Sequence, residues 1–176
     1  GKPLVIPHHT EIDSAKEFAY VFWISYWWGD ATLLSKGEAP NYLSLYRGAI
    51  KAEVHNSGGG KTEWTGYPLK CAYVQPGEWH HVALSYSKHG EMTLVIDGAA
   101  CSSGKGDSGD AKSGSSDINF GQWAGMLSDL RIFSSALSTA DVQAIFNDTQ
   151  ATYATAAAAE HAQPSTDVIA AAGRAW

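Results

Sequence analysis

The sequence alternates short hydrophobic and polar runs from about residue 18 to residue 133, with turn residues between the runs. A period of two is typical of β-strands, and a turn after roughly every ten residues is typical of an antiparallel sandwich. Two pairs of neighbouring runs, one around a glycine and one across "KHG", are predicted hairpins. The pattern therefore predicts an all-β sandwich. The predicted strands are "EFAYVFWIS", "ATLLSK", "YLSLYRG", "AIKAEVH", "HHVALSYS", "EMTLVIDG", "DINFGQ" and "GMLSDLRIF".

The period changes after the last predicted strand. Ser138 is followed three residues later by Asp141, a spacing typical of a helix N-terminus with an acidic residue in its first turn. Apolar residues then occur at helical spacing from Val142 to Phe146. We therefore expect one short helix over about residues 139–147.

Two segments of biased composition lie outside these patterns. Residues 102–117 are almost wholly Ser, Gly, Asp and Lys, so we expect a surface loop there. The segment "ATYATAAAAEHAQ" has high helix propensity but almost no apolar stripe beyond alanine. We therefore assign residues 1–147 to the sandwich domain and residues 148–176 to an Ala-rich C-terminal extension or linker. This tail, helical or frayed, is expected to lead towards a neighbouring domain.

Composition and charge narrow the classes of partner. A chain of 176 residues, 44% of them hydrophobic, suits one domain with a sizeable core. Twelve basic and 18 acidic residues give a net charge of −6 without any Lys/Arg cluster, so we expect no nucleic-acid partner. No apolar run reaches the roughly 18 residues of a membrane span, so we expect no membrane insertion.

The chain contains two cysteines, Cys71 and Cys101. A structural zinc site needs four ligands at short spacings, and neither cysteine has such neighbours in the sequence. The pair is either one disulfide or two buried thiols, and the spacing does not distinguish these alternatives.

Acidic residues at even spacing raise the question of glycoside hydrolysis. Glu11, Asp13 and Glu17 have such spacing, and a retaining glycosidase needs two carboxyl groups about 5 to 5.5 Å apart. The residues between Asp13 and Glu17, however, indicate a loop before the strand. We therefore expect no catalytic site.

Four of the histidines occur as adjacent pairs, His8-His9 and His80-His81. Adjacent strand residues point to opposite faces, so neither pair chelates one metal through both rings. We expect His80 and His81 to be strand residues, one packed and the other exposed.

The segment "FWISYWWGD" contains three tryptophans. Trp23 lies within the predicted strand and is assigned to packing. Trp27 and Trp28 follow where the strand ends, and two consecutive large rings cannot both point inward. At least one indole should therefore be exposed, as in a surface that stacks on a sugar ring. An edge tryptophan that caps the core, or one covered by the Ala-rich tail, is the alternative.

Three further aromatic residues lie in predicted loops, where sandwiches carry their binding sites. Trp64 and Tyr67 belong to "KTEWTGYP", and Trp123 belongs to "GQWAG". Together with Trp27 and Trp28, they form the predicted carbohydrate-binding set.

Two long motifs resemble those of a known family. They are "GEWHHVALSYSKHGEMTLVIDG" and "INFGQWAGMLSDLRIFSSALSTADVQAIF", preceded by "FWIS" and "LLSKGE". Over roughly residues 3–147 the chain resembles the laminin-G-like domains of the concanavalin A-like lectin and glucanase superfamily. The resemblance implies a two-sheet antiparallel jelly roll with core tryptophans at Trp23 and Trp79. It also implies a binding module of secreted or surface proteins.

The resemblance bears on the cysteines and on calcium as well. The family's topology brings the segments around Cys71 and Cys101 together, which implies a disulfide between them. Many relatives hold calcium, but Ser128 and Asp129 occupy a position where two acidic residues are common. Other candidate calcium ligands lie in loops, so calcium stays an open possibility. These are Asp30, Asp107 and Asp110.

The combined prediction is a non-catalytic, lectin-like module of a larger extracellular or cell-surface protein, with a glycan or glycoprotein as its partner. The carbohydrate specificity rests on the family resemblance and on the surplus of loop aromatics. The alternative is a structural or protein-interaction domain in which the exposed tryptophans and the Ala-rich tail pack against another domain or subunit.

Overall fold

The computed structural model is a two-sheet sandwich with a long helix across one outer face. It describes residues 4–13, 16–36, 42–55, 61–65, 73–105, 110–111, 114–121 and 123–161. The elements in chain order are β1 (Leu4–Ile6), α1 (Thr10–Asp13), β2 (Phe18–Trp28), β3 (Ala31–Lys36), β4 (Tyr42–Tyr46), β5 (Ala49–His55), β6 (Lys61–Thr65), β7 (Trp79–Tyr86), β8 (Glu91–Ile96), β9 (Ala99–Lys105), β10 (Ile118–Phe120), β11 (Ala124–Phe133) and α2 (Thr139–His161).

The strands form one six-stranded and one five-stranded sheet, with the orders β1-β10-β3-β4-β5-β6 and β11-β2-β7-β8-β9. Every pairing between these strands is antiparallel. Both predicted hairpins are present, as β4 with β5 and β7 with β8. The predicted antiparallel all-β sandwich is therefore confirmed.

Strand β2 is central in the five-stranded sheet and has two buried faces. Every second residue faces the other sheet, and the Phe22 and Phe120 rings meet edge to face with centroids 5.7 Å apart. Burying each such side chain contributes about 1.5–3 kcal/mol, so this row is a major source of stability. The inward-facing residues of β2 are Phe18, Tyr20, Phe22, Ile24 and Tyr26.

The outer face of the five-stranded sheet is covered by α2. Val142 of the helix packs into a buried cluster with Val21, Ala83 and Val95, one residue from each of three adjacent strands. Val21 and Trp23, on the outward face of β2, are therefore buried because a helix, not solvent, covers them.

The helix begins at Thr139, as predicted, because the residues before it satisfy its first backbone donors. The Ser138 hydroxyl accepts the amide hydrogen of Asp141 at 3.2 Å, and the Asp141 carboxylate accepts that of Ser138 at 3.0 Å. The Ser138 hydroxyl also donates to the Asp141 carboxylate at 2.6 Å, and this bond, together with the one from the Ser138 amide, lowers the pKa of Asp141.

The helix predicted over residues 139–147 is longer than expected, because α2 continues to His161, so the helical alternative for the tail holds as far as that residue. Beyond residue 147, the side chains of Thr149 and Tyr153 anchor α2 to the sheet. Thr149 accepts a hydrogen bond from the Trp23 indole at 3.0 Å, and the Tyr153 ring stacks on Trp23 with centroids 4.1 Å apart. A stripe built from Thr and Tyr is not apparent as an apolar pattern, which explains the error.

Three smaller elements differ from the sequence-based expectation. Residues 102–105, expected in a loop, continue β9 opposite β8, because backbone pairing at a sheet edge does not require apolar side chains. Residues 61–65 form β6 at the edge of the other sheet. A single helical turn, α1, occupies residues 10–13.

Cys101 lies in β9 and is disulfide-bonded. The only other cysteine of the sequence is Cys71. Cys71 lies outside the described residues, so the predicted geometry of the two segments stays a prediction.

Candidate functional site

A β-bulge at the end of β2 brings two indoles to the surface. Tyr26 pairs with Gly125 and Trp28 pairs with Ala124, so Trp27 is an extra residue in the ladder. A bulge of this kind redirects side chains from strict alternation. Trp27 is 53% exposed and Trp28 is 74% exposed. Both indoles are therefore exposed, where the sequence required at least one.

The turn after Trp28 is fixed to a neighbouring turn. The Asp30 carboxylate accepts the backbone amide hydrogen of Arg47 at 2.7 Å. Arg47 adopts a left-handed conformation with φ 50° in the β4–β5 turn, and its guanidinium lies 5.3 Å from the centre of the exposed Tyr46 ring. We call Trp27, Trp28, Asp30, Tyr46 and Arg47 the rim platform, since they lie at one end of the sandwich.

A shallow groove of about 750 Å³ begins at Asp30 and Tyr46 of the rim platform. Its floor includes a row of outward-facing polar residues on three neighbouring strands. Ser44 lies opposite both Thr32 of β3 and Lys51 of β5 in the sheet register. The rim platform thus combines exposed aromatic faces with adjacent hydroxyl and charged groups, which is the composition of a site for a polar ligand with an apolar face.

The structure describes two of the other three predicted binding aromatics, Trp64 and Trp123. Trp64 lies in β6, opposite Ala52, and not in the loop that the sequence suggested. Tyr67 lies outside the described residues. Trp123 is half-buried and packs against the sandwich core. A β-carbon added at Gly121 or Gly125 would come within 2.7 or 2.6 Å of the Trp123 ring, so both glycines make room for it.

The acidic residues considered for catalysis and calcium have other surroundings. Glu11 lies in the turn α1, apart from Glu17, so these acids do not share a strand face. Asp129 binds the Arg131 guanidinium with both carboxylate oxygens, at 3.0 and 2.9 Å. Asp110 pairs with a lysine at 3.0 Å, and no three His, Cys, Asp or Glu side chains cluster as a metal site within the described ranges.

The expectation that His80 or His81 would be exposed is wrong, because both are buried. His80 is held at both nitrogens. Its Nε2 accepts the backbone amide hydrogen of Gln75 at 2.8 Å, so Nδ1 carries the proton and donates to Asp97 at 2.8 Å. His80 is therefore neutral, and Asp97 keeps its negative charge.

His81 faces the helix and is fully buried. Its ring lies 5.2 Å from Trp23 and 5.6 Å from Phe146, and neither ring nitrogen has a hydrogen-bond partner among the described residues. Burial lowers the pKa of His81 to about 4, against the opposing effect of Asp97 and Asp129.

A second cavity lies between α2 and the end of β7, and we call it the helix cleft. Its volume is about 320 Å³. The Tyr153 ring lies 5.1 Å from that of Trp79 and stacks on Trp23. The helix cleft is lined by Trp23, Glu78, Trp79, Asp97, Phe146, Gln150, Tyr153 and Ala154.

Sequence reasoning missed Tyr46 and Arg47 in the rim platform and Tyr153 in the helix cleft. The "YRG" turn carried a detectable signal, because an Arg-Gly pair between two alternating runs indicates a tight turn that exposes its flanks. Tyr153 offered no signal, because a single aromatic residue within an alanine-rich segment does not make an apolar stripe.

Several solved structures have a similar fold. The receptor binding domain of botulinum neurotoxin D matches with a TM-score of 0.67 at 17% identity, over 85% of this chain and 42% of that one. The binding domain of Paraclostridial Mosquitocidal Protein 1 matches with a TM-score of 0.65 at 16% identity, over 84% and 44%. The heptameric SAP-like pentraxin from Limulus polyphemus matches with a TM-score of 0.55 at 16% identity, over 81% and 72%.

These similarities concern the fold, since all three identities are low. The chain spans less than half the length of the two toxin domains. No curated protein matches the sequence. Within the part of the chain that the structure describes, no helix is both long and apolar enough to cross a bilayer.

The family assignment rests on a match over most of the sequence. A laminin G family profile, described as the concanavalin A-like lectin/glucanases superfamily, matches residues 3–143. The matched segment covers the two sheets and the start of α2, which agrees with the observed sandwich. The chain therefore belongs to the concanavalin A-like lectin/glucanases superfamily.

Proposed function

We propose that the protein is a non-catalytic carbohydrate-binding module of a larger extracellular or cell-surface protein and that it binds glycans through the rim platform. The observation that carries the proposal is the exposure of two adjacent indoles, Trp27 and Trp28, two residues before the chain enters a polar groove at Asp30. Because Trp28 is 74% exposed and adjoins the exposed Trp27 in sequence, the indole is available to a ligand that would cover it.

A sugar fits the chemistry of this surface. One face of a pyranose ring carries mostly C–H groups and packs on an indole, while its hydroxyl groups need hydrogen-bond partners at the edges. The groove supplies such partners from Thr32, Ser44 and Lys51, which line it together with Tyr46. The rim platform is also rigid, because the bond from Arg47 to Asp30 joins the two turns that carry it.

The non-catalytic part of the proposal rests on the carboxylates. Asp30 is the acidic residue of the rim platform, and it is engaged by the Arg47 amide. Hydrolysis by two carboxylates needs a second one at a defined distance, and no other acid lines this groove within the described residues. The extracellular or cell-surface part is supported by the disulfide at Cys101, because such bonds persist in oxidising compartments.

A glycan array with the 176-residue chain tests the proposal, followed by titration of the best glycan against Trp28→Ala. We expect the variant to lose about tenfold or more in affinity, since removing a central aromatic contact typically costs about 2 kcal/mol. Leu4→Ala is the matched control, because Leu4 is 47% exposed on the edge strand β1, outside the rim platform. It should leave both affinity and melting temperature unchanged.

Two outcomes would overturn the proposal. The first is an array without any glycan bound above background. The second is a bound glycan whose affinity is the same for the wild type, Trp27→Ala and Trp28→Ala. If these variants instead abolish capture of a protein partner from which glycans have been removed, the rim platform is a protein interface.

A further inference from the structure

The helix cleft differs from the rim platform in charge and in position. It lies between α2 and the sheet, and its rings come from both, as Tyr153 and Trp79. Two carboxylates, Glu78 and Asp97, line it, and none of its lining residues is Lys or Arg. Its volume of about 320 Å³ lies at the small end of the range for small-molecule sites.

The Asp97 carboxylate accepts two hydrogen bonds within the protein and contributes a negative charge to the helix cleft. One oxygen accepts the proton of His80 Nδ1 at 2.8 Å, and the other accepts the backbone amide hydrogen of His81 at 2.8 Å. Because His80 is neutral in this arrangement, the His80–Asp97 pair has a net charge of −1. Glu78 is exposed and adds a second negative charge at the cleft.

The charge of Arg131 is paired with a carboxylate that does not line the helix cleft. Arg131 lies close enough to Tyr153 for the tyrosine to influence its pKa, but its guanidinium is bound by both oxygens of Asp129. The helix cleft therefore combines negative charge with the faces of electron-rich aromatic rings.

We propose that the helix cleft binds a small organic cation, an alkylammonium or quaternary ammonium group, between Trp79, Tyr153 and Glu78. Aromatic faces attract such cations through their quadrupole, and the attraction increases where water is partly excluded. A carboxylate at hydrogen-bond or contact distance adds a Coulombic term. This site is separate from the rim platform and takes a different class of ligand.

Choline and its uncharged isostere 3,3-dimethylbutan-1-ol test the proposal directly, because the two differ in charge and hardly in shape. We expect saturable binding of choline to the whole chain, measured by titration calorimetry and by tryptophan fluorescence, and about tenfold weaker or undetectable binding of the isostere. Equal binding of both compounds, or no saturable binding of choline, would overturn the proposal.

Glu78→Gln locates the site, because it removes the charge of an exposed side chain and keeps its size. We expect this variant to bind choline several-fold more weakly, with an unchanged melting temperature. Glu11→Gln is the matched control, because it removes one negative charge from an exposed residue elsewhere.

Two further variants separate the helix cleft from the rim platform. Trp79→Leu, checked for its melting temperature, should abolish choline binding, whereas Trp28→Ala should leave it unchanged. Choline affinity that is unchanged in both Glu78→Gln and Trp79→Leu contradicts the proposal, and so does a neutral monosaccharide that displaces choline from the wild type.

Discussion

Trp23 and Trp28 lie on the same strand, β2, and have opposite surroundings. Trp23 is 3% exposed beneath α2, where its indole donates to Thr149 and its ring stacks on Tyr153. Trp28 is 74% exposed past the bulge at the end of the strand. The two indoles differ in role because α2 covers Trp23 and does not cover Trp28. A covered indole stabilises the fold, whereas an exposed one is available to a ligand.

The strongest test of the comparison is how much stability the protein loses when the buried indole is removed. Trp23→Ala should lower the free energy of unfolding by about 3–5 kcal/mol, because it removes a buried aromatic and leaves a cavity. It also leaves Thr149 without its indole donor. Chemical denaturation of the variant beside the wild type measures the loss. A cost below about 1 kcal/mol would show that α2 does not cover Trp23 in solution.

The pH dependence of stability is the next largest expected effect. His81 has a folded-state pKa of about 4, below its ordinary value of 6.5, because it is buried without a partner. The unfolded chain therefore binds the proton more readily, so stability is complete above pH 6.5 and is lost as the pH falls towards 4. The pKa difference corresponds to a loss of about 3 kcal/mol.

Denaturation at several pH values between 4 and 7 measures this effect. His81→Phe should flatten the slope in that window, because the ring can no longer be protonated. His89→Gln is the control, since His89 is exposed and its replacement should preserve the slope. The same slope in wild type and His81→Phe would contradict the assignment to His81.

Two glycines allow a turn that α2 covers to be compared with a turn that has open space around it. Gly98 and Gly77 have similar positive φ values, of 76° and 81°. A carbon added at Gly98 would lie 2.6 Å from the Phe146 ring, whereas one added at Gly77 meets nothing within 4 Å. Both Ala variants carry a backbone cost of about 1 kcal/mol, and Gly98→Ala should lose a further 1–3 kcal/mol by overpacking.

The melting temperatures of the two variants give this difference directly. Equal losses for Gly98→Ala and Gly77→Ala would indicate that Phe146 does not rest on the β8–β9 turn.

The smallest expected effect on stability is at the rim platform. Trp28→Ala should change the free energy of unfolding by less than about 0.5 kcal/mol, because an exposed side chain loses little on truncation. Its predicted effect is on glycan affinity. A stability loss approaching that of Trp23→Ala would mean that Trp28 belongs to the packed structure and not to a binding surface.

Much of the sandwich was predictable because strand patterns are local. The strands β2, β3, β4, β5, β7, β8, β10 and β11 each appear in the sequence as alternating or apolar runs bounded by turn residues. The start of α2 was equally visible, since a capping pair and an acidic first turn lie within four residues. The polar end of β9 was not predictable from the sequence, because an edge strand is held by backbone hydrogen bonds that leave no apolar pattern.

The candidate sites were less predictable because each depends on contacts between distant segments. Tyr46 and Arg47 come to the rim platform from a different turn, which a hydrogen bond joins to Asp30, 17 residues before Arg47. Tyr153 and Trp79 meet only because α2 folds back over the sheet. Similarly, the sequence does not show that both histidines of the His80-His81 pair are buried. His80 lies against Asp97, and His81 lies under Phe146.

The sequence by itself determined the strands, the capped helix start and the family, since each depends on residue types at short, regular spacing. Only the tertiary structure decided which tryptophans are covered, how far α2 extends and which carboxylates keep an uncompensated charge. The physical reason is that burial, stacking and charge pairing arise between segments far apart in sequence. A Trp, a Tyr or an Asp therefore acquires its role from neighbours that no local pattern specifies.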